Sequence, residues 1–157
     1  MKILIVSDTH RHNENLKKVI EKTEPIDLLI HLGDGEGVEE YIPKLTSAPF
    51  EIVAGNNDFF SSLSKEIVTK IGKYRVLLTH GHLYNVSAGI ENLVAQLQDF
   101  DIIMFGHTHK PLIIMKEGKA ILNPGSLSYP RQEGRKPSFI IMELDKKGDV
   151  HFTLNYL

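Results

Sequence analysis

Five short apolar runs, Lys2–Val6, Leu28–Leu32, Ile52–Ala54, Arg75–Thr79 and Ile102–Phe105, constrain this chain most, because each ends at Asp, Asn or His side chains. Asp8 and His10 follow the first run, Gly33-Asp34 the second, and Gly55-Asn56 the third. His80 follows the fourth, and Gly106-His107 with His109 the fifth. The runs read as strands. Between the first two, Leu16, Val19 and Ile20 recur at helical spacing ahead of Pro25, with Asn13 in the N-cap position. A mixed segment around Val38 to Ile42 precedes the third run, so the first part reads βαβαβ. A second helix is predicted from about Ser87, with Ile90, Leu93, Val94 and Leu97 on one stripe.

The remainder reads as hairpins. Leu112–Lys116 and Ala120–Leu122 flank Glu117-Gly118-Lys119, and Phe139–Leu144 and Val150–Asn155 flank Lys146-Lys147-Gly148-Asp149. Parallel β/α units followed by hairpins suit two sheets packed face to face with helices outside, an α/β fold. At 157 residues with 41% hydrophobic content and no internal repeat, residues 1–157 are expected to make one domain. With no cysteine, a bound metal must take nitrogen and oxygen donors, and nothing points to an oxidising compartment. The N-terminal apolar stretch is too short for a membrane span, so a cytoplasmic location and no membrane partner are expected. Eighteen basic against twenty acidic residues, with no basic run, leave no strong nucleic-acid-binding footprint, although a nucleotide-like substrate stays compatible.

In open α/β sheets the carboxyl ends of the strands meet along one edge, where such folds place ligands. Asp8, His10, Asp34, Asn56, His80, His107 and His109 are therefore expected to converge on a metal site. Within Asp8-Thr9-His10 and His107-Thr108-His109, an extended backbone would send residues i and i+2 to the same side. Glycines at 33, 55 and 106 would let the chain leave its strands sharply. Two ions roughly 3.5–4 Å apart need a shared ligand, and a carboxylate with two oxygens can bridge them, with Asp34 the natural choice.

These blocks, Asp8-x-His10, Gly33-Asp34, Gly55-Asn56-x-Asp58, His80 and Gly106-His107-x-His109, resemble in order the signature of the calcineurin-like binuclear metallophosphoesterases. The Asn123-Pro124-Gly125-Ser126 segment and the chain length resemble their short, capless prokaryotic phosphodiesterase branch, to which the retromer's small phosphoesterase-like subunit is related. The resemblance implies a four-layer αββα sandwich. It implies one metal on Asp8, His10, Asp34 and His109 and a second on Asp34, Asn56, His80 and His107. Manganese is the ion it suggests, with Ni, Zn, Fe, Co or Mg as others that such donors accept. It further implies hydrolysis of a small phosphodiester, by in-line attack of a metal-bridging hydroxide, and a homodimer as one assembly.

The chain departs from the wider superfamily at Asn57, where many members carry the His credited with protonating the leaving group. An amide does not titrate near neutral pH, so either another group supplies the proton, with His82 the candidate, or only good leaving groups are cleaved quickly, and Asp58 could orient a ligand from behind. Arg11, directly after the Asp-x-His pair, is read both as a bidentate phosphate contact and as a surface ion pair. His12, His31 and His151 read as turn, strand or surface residues, and Phe59-Phe60 as core, with an interface patch and an active-site wall as the other readings. Gly33-x-Gly35-x-Gly37 lacks the ending of a phosphate loop and reads as a turn around Asp34. Two other functions compete. Thr79-His80-Gly81-His82 partly resembles the β-lactamase-like metallohydrolase loop, but Tyr84 and Asn85 stand where Asp and His belong. A non-catalytic protein-binding scaffold of the same fold is the other, and it would not require seven intact ligand positions.

Overall fold

The structure is a computed structural model that describes residues 1–157. Strand β1 spans Lys2–Val6, followed by helix α1 (Glu14–Thr23), β2 (Leu28–His31), β3 (Phe50–Ile52), β4 (Glu66–Ile71) and β5 (Tyr74–Thr79). Helix α2 (Glu91–Gln96) then leads to β6 (Ile102–Met104), β7 (Pro111–Lys116), β8 (Lys119–Pro124), β9 (Ser138–Leu144) and β10 (Val150–Tyr156). They form two mixed five-stranded sheets, ordered β10-β9-β1-β2-β3 and β4-β5-β6-β8-β7. The connections β1–β2–β3 and β5–β6–β8 are parallel, and hairpins close three of the four outer edges, with β3 at the fourth.

Strict alternation distributes the apolar side chains among three cores. Ile3, Ile5, Ile30, Leu32, Val76, Leu78, Ile102, Met104, Leu122, Ile140 and Met142 fill the space between the sheets. Their neighbours Leu4, Val6, Leu29, Phe139 and Ile141 turn the other way and pack against Leu16, Val19 and Ile20 of α1. Leu77, Ile103 and Ile121 pack outward against Leu93 of α2 with Val86 and Phe100. A strand covered on both faces must be apolar at every position, which is why these runs are continuous. The layering is the α/β sandwich expected, with few helices.

Local differences have physical causes. The Val38–Ile42 segment forms two 3-10 turns, Val38–Glu40 and Ile42–Lys44, since Pro43 supplies no N–H to a continuing helix. The second helix begins at Glu91, not Ser87, after Asn85 adopts a left-handed φ of 54°, and Val94 is exposed. Asn13 occupies the N-cap of α1, but its side chain makes no capping bond. Strand β4 was not foreseen, because its exposed Glu66, Val68 and Lys70 alternate with half-buried Ile67 and Thr69 at a sheet edge. Phe59 and Phe60 are 77% and 103% exposed, on the surface and not in the core. No helix is long and apolar enough to cross a membrane.

Candidate metal centre

The carboxyl ends of β1, β2, β5 and β6 bring five candidate side chains into two overlapping groups. Asp8, His10 and His109 form one, and Asp8, Asp34 and His80 the other, with one donor atom from each within 4.8 Å of the rest of its group. Asp8 Oδ1 lies 3.1 Å from His109 Nε2, 3.9 Å from His10 Nε2 and 4.0 Å from His80 Nε2. Asp34 Oδ2 lies 3.4 Å from His80 Nε2 and 3.7 Å from His10 Nε2. Asp8 thus belongs to both groups, and Asp34 of the second approaches His10 of the first. The His107 ring stands beside that of His80, 5.1 Å between centroids, and its backbone N–H donates to Asp8 Oδ2 at 3.2 Å. Asn56 is exposed at the rim, on a cavity of about 410 Å³ that His82 also lines.

Each of the three central imidazoles is tethered through Nδ1. His80 Nδ1 bonds the Leu32 carbonyl at 2.6 Å, and His109 Nδ1 the Tyr129 carbonyl at 2.7 Å. His10 Nδ1 lies 3.0 Å from the Glu36 carboxylate. An acceptor at Nδ1 puts the proton there and leaves the Nε2 lone pair free to ligate, the arrangement that orients metal-bound histidines. Asp8 Oδ1 and His80 Nε2 are buried without a hydrogen-bond partner. Orphaned buried polar atoms are costly, and a cation between them satisfies both. The nitrogen and oxygen donors therefore fit divalent ions such as Mn, Zn or Ni.

The electrostatics keep the carboxylates ionised, the form a metal needs. Burial pushes Asp8 upward, but the adjoining His109 imidazole and the His80 charge outweigh it and its pKa is lowered. Asp34 is lowered well below the carboxylate range, with burial again opposed by His80 and by two Asn57 donors. Asn57 gives Asp34 its backbone N–H at 2.8 Å and its side-chain amide at 2.7 Å. His80 is raised, as burial is overcome by Asp34 and Asp8. His82 and His107 are both lowered, first by burial and then by the neighbouring His80. His82 lies 5.5 Å from His80 between ring centroids, with Nδ1 buried and unpartnered.

Two local expectations are corrected. Asp8, His10, His107 and His109 have φ values of 57°, 44°, 68° and 58°, so tight left-handed turns and not an extended backbone turn the pairs inward. Of the three glycines only Gly33 has a positive φ, 89°. Gly55 and Gly106 are required for close approach. A Cβ on Gly55 would fall 2.1 Å from Asp34 Oδ1 and 2.4 Å from the Asp34 amide, and one on Gly106 2.1 Å from Ser7 Oγ.

Other residues support the cluster from behind. Asp58 accepts the backbone N–H groups of Asp34, Gly55 and Glu36 at 2.8, 2.7 and 2.6 Å. Asn123 donates to the Gly106 carbonyl and Ser126 to the Asp8 carbonyl, both at 2.8 Å, so the Asn123-Pro124-Gly125-Ser126 segment braces two ligand loops. Sequence reasoning missed Glu36, the Leu32 carbonyl and the Tyr129 carbonyl as tethers; only the carboxylate type of Glu36, two residues after Asp34, carried any signal. Arg11 is 76% exposed, with Nε 3.2 Å from Glu36 Oε2. His31 is fully buried, bonded to Thr9 Oγ1 at 3.1 Å, and burial pushes its pKa down to about 4. His12 bonds the Tyr129 hydroxyl, and His151 faces Asp145 on the surface.

Comparison with known proteins agrees with this geometry. The profile of the calcineurin-like phosphoesterase superfamily domain matches residues 1–147. The probable metallophosphoesterase YsnB of Bacillus subtilis is 35% identical over 148 residues, 92% of this chain and 85% of that protein. The phosphodiesterase MJ0936 of Methanocaldococcus jannaschii is 29% identical, covering 80% of this chain and 83% of its own length. A crystal structure from Streptococcus pneumoniae TIGR4, described as a predicted phosphoesterase, superposes with a TM-score of 0.80 at 28% identity, over 99% of this chain and 88% of that one.

Proposed function

Because the chain belongs to the calcineurin-like phosphoesterase superfamily, we propose that residues 1–157 make one cytoplasmic domain that hydrolyses small phosphodiesters at a binuclear metal centre. The observation that carries this reading is the convergence of three Nδ1-tethered imidazoles on two carboxylates, Asp8 common to both donor groups and Asp34 in one of them and 3.7 Å from His10 of the other. Asp8, His10, Asp34 and His109 would hold one ion, and Asp34, Asn56, His80 and His107 the other, with Asp34 shared. When bound, such ions neutralise charge on the phosphoryl oxygens and lower the pKa of the water that attacks phosphorus. Manganese is the proposed ion.

The remaining tasks fall to the protein's own residues. Asn57 and Asp58 hold Asp34 in place. Glu36 fixes the His10 tautomer and is itself held by Arg11. His82, beside His80 on the Asn56 cavity, is the proposed donor of a proton to the departing alkoxide. A diester bears a single charge and needs no deep enclosure, in keeping with a cluster whose His10 and His109 open on a surface cavity. The phosphodiesterase MJ0936 among the relatives supports diesters over monoesters.

The test is hydrolysis of bis-p-nitrophenyl phosphate beside p-nitrophenyl phosphate by metal-stripped protein, with Mn, Ni, Zn or Mg restored. Diester turnover that requires metal and is lost in Asp34→Asn is expected. A folded protein that turns over neither ester with any of the four ions would refute the reading.

A further inference from the structure

A cavity of about 720 Å³ opens on the His10 and His109 side of the cluster and is lined also by Tyr129, Pro130, Arg131 and Arg135. Its volume falls in the range of sites that hold a whole ligand group and not one small ion. Two of the chain's four arginines are engaged elsewhere. Arg11 pairs with Glu36, while Arg75 donates to the Asp99 carbonyl and stacks on Phe100. Arg131 and Arg135, the two in this cavity, make neither an ion pair nor a side-chain hydrogen bond. A free pair of guanidinium groups beside a cluster built for phosphate chemistry is a charge pattern awaiting an anion.

The segment that carries them is held against the site. The Arg131 backbone N–H donates to the His109 carbonyl at 2.9 Å, directly behind a candidate ligand. The Arg135 N–H donates to the Gln132 carbonyl at 3.1 Å, across a turn in which Gly134 and Arg135 have φ values of 76° and 45°. Pro130 and Pro137 bracket the segment and restrict it further. The backbone thus fixes where the two exposed side chains leave the wall of the cavity that His10 and His109 also line.

We propose that Arg131 and Arg135 form a subsite for a second, terminal phosphate, so that the preferred substrate is a phosphodiester that also carries a phosphomonoester. This rests on the phosphoesterase reading above. Charge selects phosphate over carboxylate, since a phosphomonoester carries about −1.5 to −2 at neutral pH and matches two guanidinium groups. A single carboxylate would leave one arginine uncompensated.

The test compares thymidine 5′-(p-nitrophenyl phosphate) with its 3′-phosphorylated form as substrates, with manganese present. In parallel, calorimetry measures binding of thymidine 5′-phosphate and thymidine 3′,5′-bisphosphate, with and without manganese. The bisphosphate should bind about tenfold tighter or more, as charge-assisted contacts at an exposed site allow. The 3′-phosphorylated ester should show a correspondingly lower KM at similar kcat. In Arg131→Gln/Arg135→Gln both preferences should fall toward unity. Equal affinity for the two nucleotides in the parent protein overturns the proposal. An equal loss for both in the variant also overturns it, since the arginines would then serve the reacting phosphate. If no diester is hydrolysed but the bisphosphate preference exists and is lost in the variant, the subsite stands and the phosphodiesterase reading fails.

Discussion

Replacing Asp58 by Asn tests whether the cluster depends on the backbone behind it. The Asp58 carboxylate accepts three backbone N–H groups, with Oδ2 serving Asp34 and Gly55 and Oδ1 serving Glu36. Hydrogen bonds to a charged group contribute roughly 1.5–3 kcal/mol each and neutral ones about 1 kcal/mol. An Asn oriented to keep its oxygen on Asp34 and Gly55 retains two bonds in weakened, neutral form. It also turns its NH2 toward the Glu36 N–H, donor against donor. The lost bond and the two weakened ones sum to about 3 kcal/mol, allowing for the partial exposure of Asp58. At about 2–4 °C per kcal/mol for a chain of this size, Tm should fall by about 6–12 °C. The freed segments carry Asp34 and the Glu36 that tethers His10, so metal affinity should fall about 10- to 100-fold. Thermal melts by circular dichroism and manganese titration calorimetry read the two effects separately. A Tm within about 2 °C of the parent, or a lowered Tm with unchanged affinity, would refute the coupling of this staple to the cluster.

Three further outcomes follow from the same geometry. His31 is held neutral by burial with a pKa of about 4, against 6.5 unfolded. The unfolded state therefore binds the extra proton between these values, so this contribution is complete above pH 6.5 and is lost as pH falls toward 4, by up to about 3 kcal/mol. The fall in Tm from pH 7 to pH 4.5 should be shallower in His31→Leu, and an unchanged slope would count against it. Glu36→Gln keeps the shape but replaces the charged acceptor at His10 Nδ1; manganese affinity should drop about tenfold or more, and an unaltered titration would show that the tether does not matter. His82→Ala should slow diesters with alkyl leaving groups by about 100-fold or more while sparing p-nitrophenyl esters, and an equal effect on both would exclude His82 as the leaving-group acid.

Much of the fold was legible because strands covered on both faces leave no position for a polar side chain. Ile3 through Val6 and Ile102 through Met104 show this plainly. Strand β4 lacked that signal, because at its edge position Val68 faces solvent between two charged residues. The apolar stripe from Ile90 to Leu97 was real, but it could not report the left-handed Asn85 that delays α2 to Glu91. In the cluster, residue type and strand-end placement pointed to Asp8, His10, Asp34, His80 and His109. The turns that aim them did not show, since Asp and His enter the left-handed region more readily than most residues but their spacing does not say that Asp8 or His109 does so. The tethers were invisible for a different reason. The Leu32 and Tyr129 carbonyls are backbone groups, and any residue could supply them.

The measurement that tests the central claim most directly is a calorimetric titration of the metal-stripped chain with manganese, repeated on Asp8→Asn and Asp34→Asn. Two ions bound per parent chain, with at least one lost in each variant while the circular dichroism spectrum is preserved, is the predicted result. No binding by the folded parent, or the same stoichiometry and affinity in both variants, would contradict the assignment of these strand ends as a binuclear metal centre.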